Sequence, residues 1–241
     1  MVLRSRGKKE EPVTIPLVFG HQGSSSLPVW SADGGRVIIG EHGIGEDKVP
    51  GHAYRVYDLA TKSLTKIDLP DGCHVTDWSA DGKRFLTNIQ TSDSTMRVAW
   101  LNADGTGKPD FVSPEGEFGF GGRLSPGGRR MLYQGGPEPP KGERGKVRLY
   151  VMDLATKKRM AVDEPGETYS HCWSRDGSRV AYTWQRSLDK PAEVAERETL
   201  LITCGYDGRN RKTVTSRKTE VPENSNGRDS VVYFFWVTDW R

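Results

Sequence analysis

The chain has 241 residues, 34% of them apolar and 28% charged, with 35 basic and 32 acidic side chains interspersed to a formal charge of +3. Such a balance creates no long-range field that would steer the molecule to a polyanion or a membrane surface. No apolar stretch approaches the roughly 20 residues that span a bilayer, and three cysteines without C-x-x-C spacing, Cys73, Cys172 and Cys204, fit neither a disulfide framework nor a zinc knuckle.

Residues 1–12 are charged, lack the apolar core of a signal peptide and read as a disordered tail. The chain as written is therefore expected to be soluble and cytoplasmic, or periplasmic if an upstream segment has been removed. A strand is predicted over Val13 to Phe19, then a solvated connector over Gly20 to Ser26. The 28 glycines and 14 prolines are scattered along the chain, which favours many short elements joined by tight turns.

From Leu27 onward one pattern recurs four times, and repeats of this kind decide the fold before local structure does. The first copy carries Trp30-Ser31-Ala32-Asp33-Gly34 followed by Arg36 to Ile39, and the second Trp78-Ser79-Ala80-Asp81-Gly82 followed by Arg84 to Leu86. In the third, Leu124-Ser125-Pro126-Gly127-Gly128, leucine replaces the tryptophan. The fourth reads Trp173-Ser174-Arg175-Asp176-Gly177. The anchors at 30, 78, 124 and 173 are spaced by 48, 46 and 49 residues.

Each copy translates into the same elements. A first strand ends at the anchor, Asp accepts local backbone donors in a tight turn and Gly takes positive φ, and a β-branched or aromatic second strand leaves the turn. Third strands are predicted at Tyr54 to Leu59 and Arg148 to Leu154. Polar-apolar fourth strands follow at Leu64 to Ile67, Pro109 to Val112, Arg159 to Val162 and Arg211 to Val214, as suits an outer edge.

Four antiparallel strands at a period near 48 fit a propeller blade, so the fold class is all-β, a β-propeller. The blades are expected near 27–70, 73–113, 120–163 and 169–215 of a single domain over 13–241. Val237-Thr238-Asp239-Trp240 repeats Val75-Thr76-Asp77-Trp78, so a partial fifth copy begins; terminal strands at 13–19 and 231–240 are expected to close the ring together. The anchors Trp30, Trp78, Leu124 and Trp173 are read as core packing. Asp33, Gly34, Asp81, Gly82, Asp176 and Gly177 are read as turn geometry.

At these residues the chain resembles the bacterial TolB-like family, whose WD40-like blades carry Trp-Ser-Pro-Asp-Gly-Lys; Ala32, Ala80 and Arg175 stand where the usual Pro is, and Pro126 keeps it. The resemblance implies a propeller but not one function. Such propellers serve as partner-binding platforms, as ligand binders and as accessory or catalytic domains of hydrolases and lyases, with propeller lyases of acidic sugars using channel-facing His, Arg and Gln.

The second-to-third-strand connections, Gly40 to His52, Gln90 to Thr95, Gly135 to Lys146 and Gln185 to Glu198, vary in length and share one face, where partner recognition is expected. Gly40-Glu41-His42-Gly43-Ile44-Gly45 has no helix after it, so it is read as a flexible loop and not as a phosphate cradle. A short helical turn is expected at Ala192 to Arg197. Residues placed at the channel or a partner surface are His74, Asp77, Arg123 and His171, with His74 and His171 expected on first strands two blades apart. Two histidines do not complete a metal shell.

No G-x-S-x-G, H-E-x-x-H or P-loop motif and no reactive-cysteine context is present, and no catalytic, cofactor or metal residue is assigned. The expected function is a non-catalytic scaffold for protein-protein interaction through the long-loop face, without specific nucleic-acid binding. The alternatives are a carbohydrate-active propeller and a small-ligand or glycan binder using the channel.

Overall fold

The computed structural model describes residues 2–3, 13–15, 23–25, 28–44, 50–91, 95–138, 147–163, 167–188 and 194–222. A two-stranded antiparallel sheet pairs β1 (Val2–Leu3) with β2 (Val13–Thr14). The first blade contains β3 (Gly23–Ser25), β4 (Val29–Trp30), β5 (Arg36–Ile44), β6 (Pro50–Asp58) and β7 (Leu64–Ile67). Both β3 and β4 pair with β5, so together they form one interrupted inner edge.

The next three sheets each have four antiparallel strands in chain order. They are β8 (Cys73–Trp78), β9 (Arg84–Gln90), β10 (Met96–Asn102) and β11 (Asp110–Phe111); β12 (Glu117–Leu124), β13 (Arg130–Pro137), β14 (Arg148–Asp153) and β15 (Arg159–Ala161); and β16 (Glu167–Trp173), β17 (Arg179–Leu188), β18 (Val194–Gly205) and β19 (Lys212–Pro222). Strand β4 contacts β8, β8 contacts β12 and β12 contacts β16. First strands therefore meet at the inner end of successive blades, and β7, β11, β15 and β19 form the outer edges.

The predicted turns have a common chemistry. Asp33 Oδ1 accepts from Ser31 Oγ and from the Gly35 N–H at 2.9 Å, and Asp81 and Asp176 repeat this with Ser79 and Lys83 and with Ser174 and Ser178. Gly34, Gly82, Gly128 and Gly177 all have φ of 67° to 70°, a region that penalises a Cβ. The serine closes the turn. Its Oγ accepts the N–H of Arg36, Arg84, Arg130 or Arg179 at 2.9 to 3.0 Å.

Alternation along the strands places one apolar face of each blade against the next. Ile38, Tyr54 and Ile67 pack on Trp78 and Phe85; Leu86, Val98 and Trp100 pack on Met131 and Tyr133; Leu132, Leu149 and Val151 pack on Trp173, Val180 and Tyr182. The side of the first blade facing away from the second, Val37, Ile39 and Tyr57, is covered by Ile15.

Several expectations need correction. Gly23–Ser25 is a strand paired with Glu41, His42 and Gly43, not a connector, and Arg36–Ile44 continues as a strand through the segment read as a flexible loop. The helical turn is replaced by strand from Val194 on, because Val194 to Arg197 pair with β19 as far as Pro222. Trp30 is not a core residue: it is 43% exposed, against 3% for Trp78 and 7% for Trp173. Its side is the one against which no described sheet packs. Residues 16–19 and 231–240, assigned to ring closure, lie outside the described residues.

Candidate functional site

Of the four residues placed at the channel or a partner surface, three are used in holding blades together. Each inner strand of the last three blades has a β-bulge just before its anchor, between Val75 and Asp77, Phe120 and Arg123, and Thr168 and His171. A bulge re-aims the side chains beside it. In β8 it aims Asp77 at the next blade: its Oδ2 accepts the Leu124 N–H at 2.6 Å, and its Oδ1 accepts the Trp78 N–H at 2.8 Å. Arg123 donates back to the Thr76 carbonyl. Burial raises the Asp77 carboxyl above the usual range, opposed by those two N–H donors and by Arg123.

The third and fourth blades are joined similarly. His171 Nε2 lies 2.6 Å from the Gly121 carbonyl, which fixes it as the protonated nitrogen, and Nδ1 then faces Gln134 Nε2 at 3.4 Å. Trp173 Nε1 donates to the Arg123 carbonyl at 3.0 Å. Burial lowers the His171 pKa to about 4, against a smaller rise from the Gly121 hydrogen bond, so the ring is neutral near pH 7.

Sequence reasoning missed the amide partners. Asn88 and Gln134 are each the tenth residue after their anchor, Trp78 and Leu124. Asn88 Oδ1 accepts the Gly121 N–H at 3.0 Å, and Gln134 reaches His171, so one repeat position bridges the second blade to the bulge of the third and the third to the bulge of the fourth; in the first blade the same position is Gly40. Aligning the copies beyond their turns would have exposed that position.

His74 has different surroundings from His171. It lies with His42 and His52, whose ring centroids are 5.5 Å apart; His74 is 6.0 Å from His42 and 6.4 Å from His52, all edge-on. His42 and His52 are direct cross-strand partners on the β5–β6 hairpin, while His74 is the second residue of β8. The end of β5, the start of β6 and the start of β8 share the face of the second-to-third-strand connections. Burial, reinforced by His42 and then His52, lowers the His74 pKa. Among the described residues, no group of three or more His, Cys, Asp or Glu is placed to hold a metal ion.

On the same face, Thr95 Oγ1 donates to Glu138, joining the connections of the second and third blades. The three cysteines are free and buried, and burial pushes the Cys73 thiol up to about 12 and that of Cys204 to about 11. Thiolate chemistry is remote from both near neutral pH. No helix among the described residues is long and apolar enough to cross a membrane.

No family model matches the chain, and no curated protein does. Solved structures do. TolB of Agrobacterium tumefaciens is similar at a TM-score of 0.50 with 16% identity, over 83% of this chain and 83% of that one. TolB of Acinetobacter baumannii is similar at 0.50 with 14% identity, over 88% of this chain and 57% of that one. An oligogalacturonate lyase of Vibrio parahaemolyticus reaches 0.56 with 14% identity, over 84% of this chain and 56% of that one. The chain thus spans little more than half of the latter two. Identities this low establish architecture and nothing finer: the fold of this chain is a β-propeller similar to those of the TolB structures.

Proposed function

We propose that the chain is a non-catalytic platform that binds a protein partner through the face carrying the second-to-third-strand connections. The observation supporting this reading is how the polar residues of the inner strands are used. Asp77, Arg123 and His171 hold one blade to the next with their hydrogen-bonding atoms, so the groups best suited to acid-base work already serve the scaffold. The connection face instead carries segments that differ from blade to blade on rigid strands, where recognition is usually built.

A carbohydrate-active propeller is the second reading, favoured by the imidazoles of His42, His52 and His74 on that same face. The likeness to an oligogalacturonate lyase is one of fold.

The test compares two charge reversals at exposed positions on opposite faces. His52→Glu changes the connection face, and Arg175→Glu changes a Ser-x-Asp-Gly turn. With a captured partner, His52→Glu is expected to weaken binding about tenfold or more, the ~1.4 kcal/mol of a significant contact, and Arg175→Glu to leave it unchanged. The opposite pattern overturns the choice of face. Release of unsaturated product from oligogalacturonate, abolished by His52→Glu, overturns the non-catalytic reading.

A further inference from the structure

Three imidazoles close the connection-face end of the seam between the first and second blades. His42 and His52 lie opposite one another on β5 and β6, on the sheet face that carries Ile38 and Tyr54, and His74 is the second residue of β8. Beneath them the seam is shut, because Tyr54 Oη donates to the carbonyl of Cys73, the residue beside His74. Outward it is open: His52 is exposed, and His42 and His74 are half-buried.

Edge-on packing of the three rings leaves one of their atoms unserved. His42 Nδ1 is buried without a hydrogen-bond partner, and a buried polar atom of that kind calls for an explanation. The acids and amides of the surrounding strands are turned elsewhere. Glu41 alternates with His42 to the opposite face of β5 and is paired there with Arg55 of β6. Asp77 of β8 accepts the Trp78 and Leu124 N–H groups, and Asn88 of β9, opposite His74, accepts that of Gly121. Asp71, ahead of β8, is exposed, and the residue opposite His42 on β3 is the uncharged Ser24. The His74 pKa is accordingly lowered, by burial and then by His42 and His52, with no acid opposing them.

The spacing of the rings selects the kind of ligand. Their centroids, 5.5, 6.0 and 6.4 Å apart, lie on a circle of roughly 3.5 Å radius, so a metal ion, about 3.2 Å from the centroid of a ring it binds, cannot reach all three. An acceptor oxygen about 2.8 Å from a ring nitrogen stands about 4 Å from the centroid, and fits above the middle of the triangle.

We propose that His42, His52 and His74 form a seat for a carboxylate of the bound partner, an Asp or Glu side chain that accepts ring N–H donors and whose binding brings a proton to the cluster. That the carboxylate belongs to a protein rests on the partner reading of this face; the seat itself does not. Anion and proton are linked, since a negative charge beside the rings favours their protonated form, and affinity therefore rises as the pH falls toward the histidine range.

Hexaglutamate is the probe, titrated against the full chain at pH 8 and pH 6 at fixed salt while the Cε1–H resonances of the histidines are followed. It is expected to bind at least about tenfold more tightly at pH 6, with proton uptake, and to shift His42, His52 and His74 while leaving the buried His171 in place. His52→Gln and His74→Gln should each remove most of that pH dependence. Equal affinity at the two pH values, shifts that bypass the three rings, or a pH dependence unchanged in both variants overturns the seat. Trigalacturonate binding more tightly than hexaglutamate, with the same shifts, overturns the protein source of the carboxylate. A captured partner whose binding His52→Glu disrupts but pH leaves unchanged overturns the seat while the platform reading stands; a working seat on a chain whose partner binds the opposite face does the reverse.

Discussion

At Asp77 a single carboxylate satisfies two backbone donors on neighbouring blades, one of them across the seam. Removing it leaves both N–H groups buried without an acceptor, a desolvation cost that exceeds the net worth of the bonds themselves. Asp77→Ala should lower unfolding free energy in urea by about 2–3 kcal/mol. Asp77→Asn, which retains an acceptor oxygen, should cost less. At His171 the sign runs through protonation. Its pKa is about 4 in the fold and about 6.5 in an unfolded chain, so between those values the unfolded state binds more protons. Stability is complete above pH 6.5 and should fall by about 1.4 kcal/mol per unit as the pH drops toward 4. Denaturant titrations from pH 7 to 4 measure that slope, and His171→Gln should flatten it; an unchanged slope would mean another group carries the acid sensitivity. His171 was visible in the sequence as an inner-strand residue, but its bond to Gly121, fifty positions away, was not.

At the scale of the element, turn chemistry was legible because it is local. Asp33, Asp81 and Asp176 find their partners within two residues, and the fourth strand predicted at Leu64 to Ile67 has those bounds. The bulges were not legible, since an extra residue in an inner strand is specified by what the neighbouring blade presents to it. Gly122 illustrates the coupling: a Cβ there would lie 2.8 Å from Leu86 Cδ2 and 3.1 Å from Val98 Cγ1, both on the preceding blade. Leu86 and Val98 are fully buried among the residues of that seam, so any shift of either disturbs its packed neighbours. Gly122→Ala is therefore expected to destabilise the protein by about 1–3 kcal/mol through overpacking, measured by thermal or urea unfolding. The same substitution at Gly127, where a Cβ meets nothing within 4 Å, should be nearly neutral. The helical turn expected at Ala192 to Arg197 failed for a related reason. Its residues have helical propensity, but pairing of β18 with β19 through Val194–Pro222 outweighs a preference worth tenths of a kcal/mol per residue.

For the whole molecule, the order of blades follows from the order of copies, and each seam is built from the same pair of faces. Contiguous seams make the array sensitive at its interior joints. Leu132→Ala, at the buried joint of the third and fourth blades, should cost about 2–5 kcal/mol in urea unfolding. At the outer strands, Met160→Ala should cost about 0.5–1 kcal/mol, well below Leu132→Ala, because that side chain is 43% exposed at an outer edge. The connection face is a property of this scale too. His42, His52 and His74 come from two blades, and only packing β8 beside the first sheet brings the third ring to the other two.

The sequence by itself determined the fold class, the turns that follow the four anchors and the positions of the fourth strands, because a repeated local signal is reinforced each time it recurs; it did not determine their extent, since β19 continues to Pro222 where an end at Val214 was expected. Only the tertiary structure decided which side chains face a neighbouring blade. It assigned Asp77, Arg123 and His171 to the seams, gathered three histidines on one face and left Trp30 exposed. The seam bonds join residues about one full repeat apart and the histidines come from two blades, and periodicity within a copy carries no information about either.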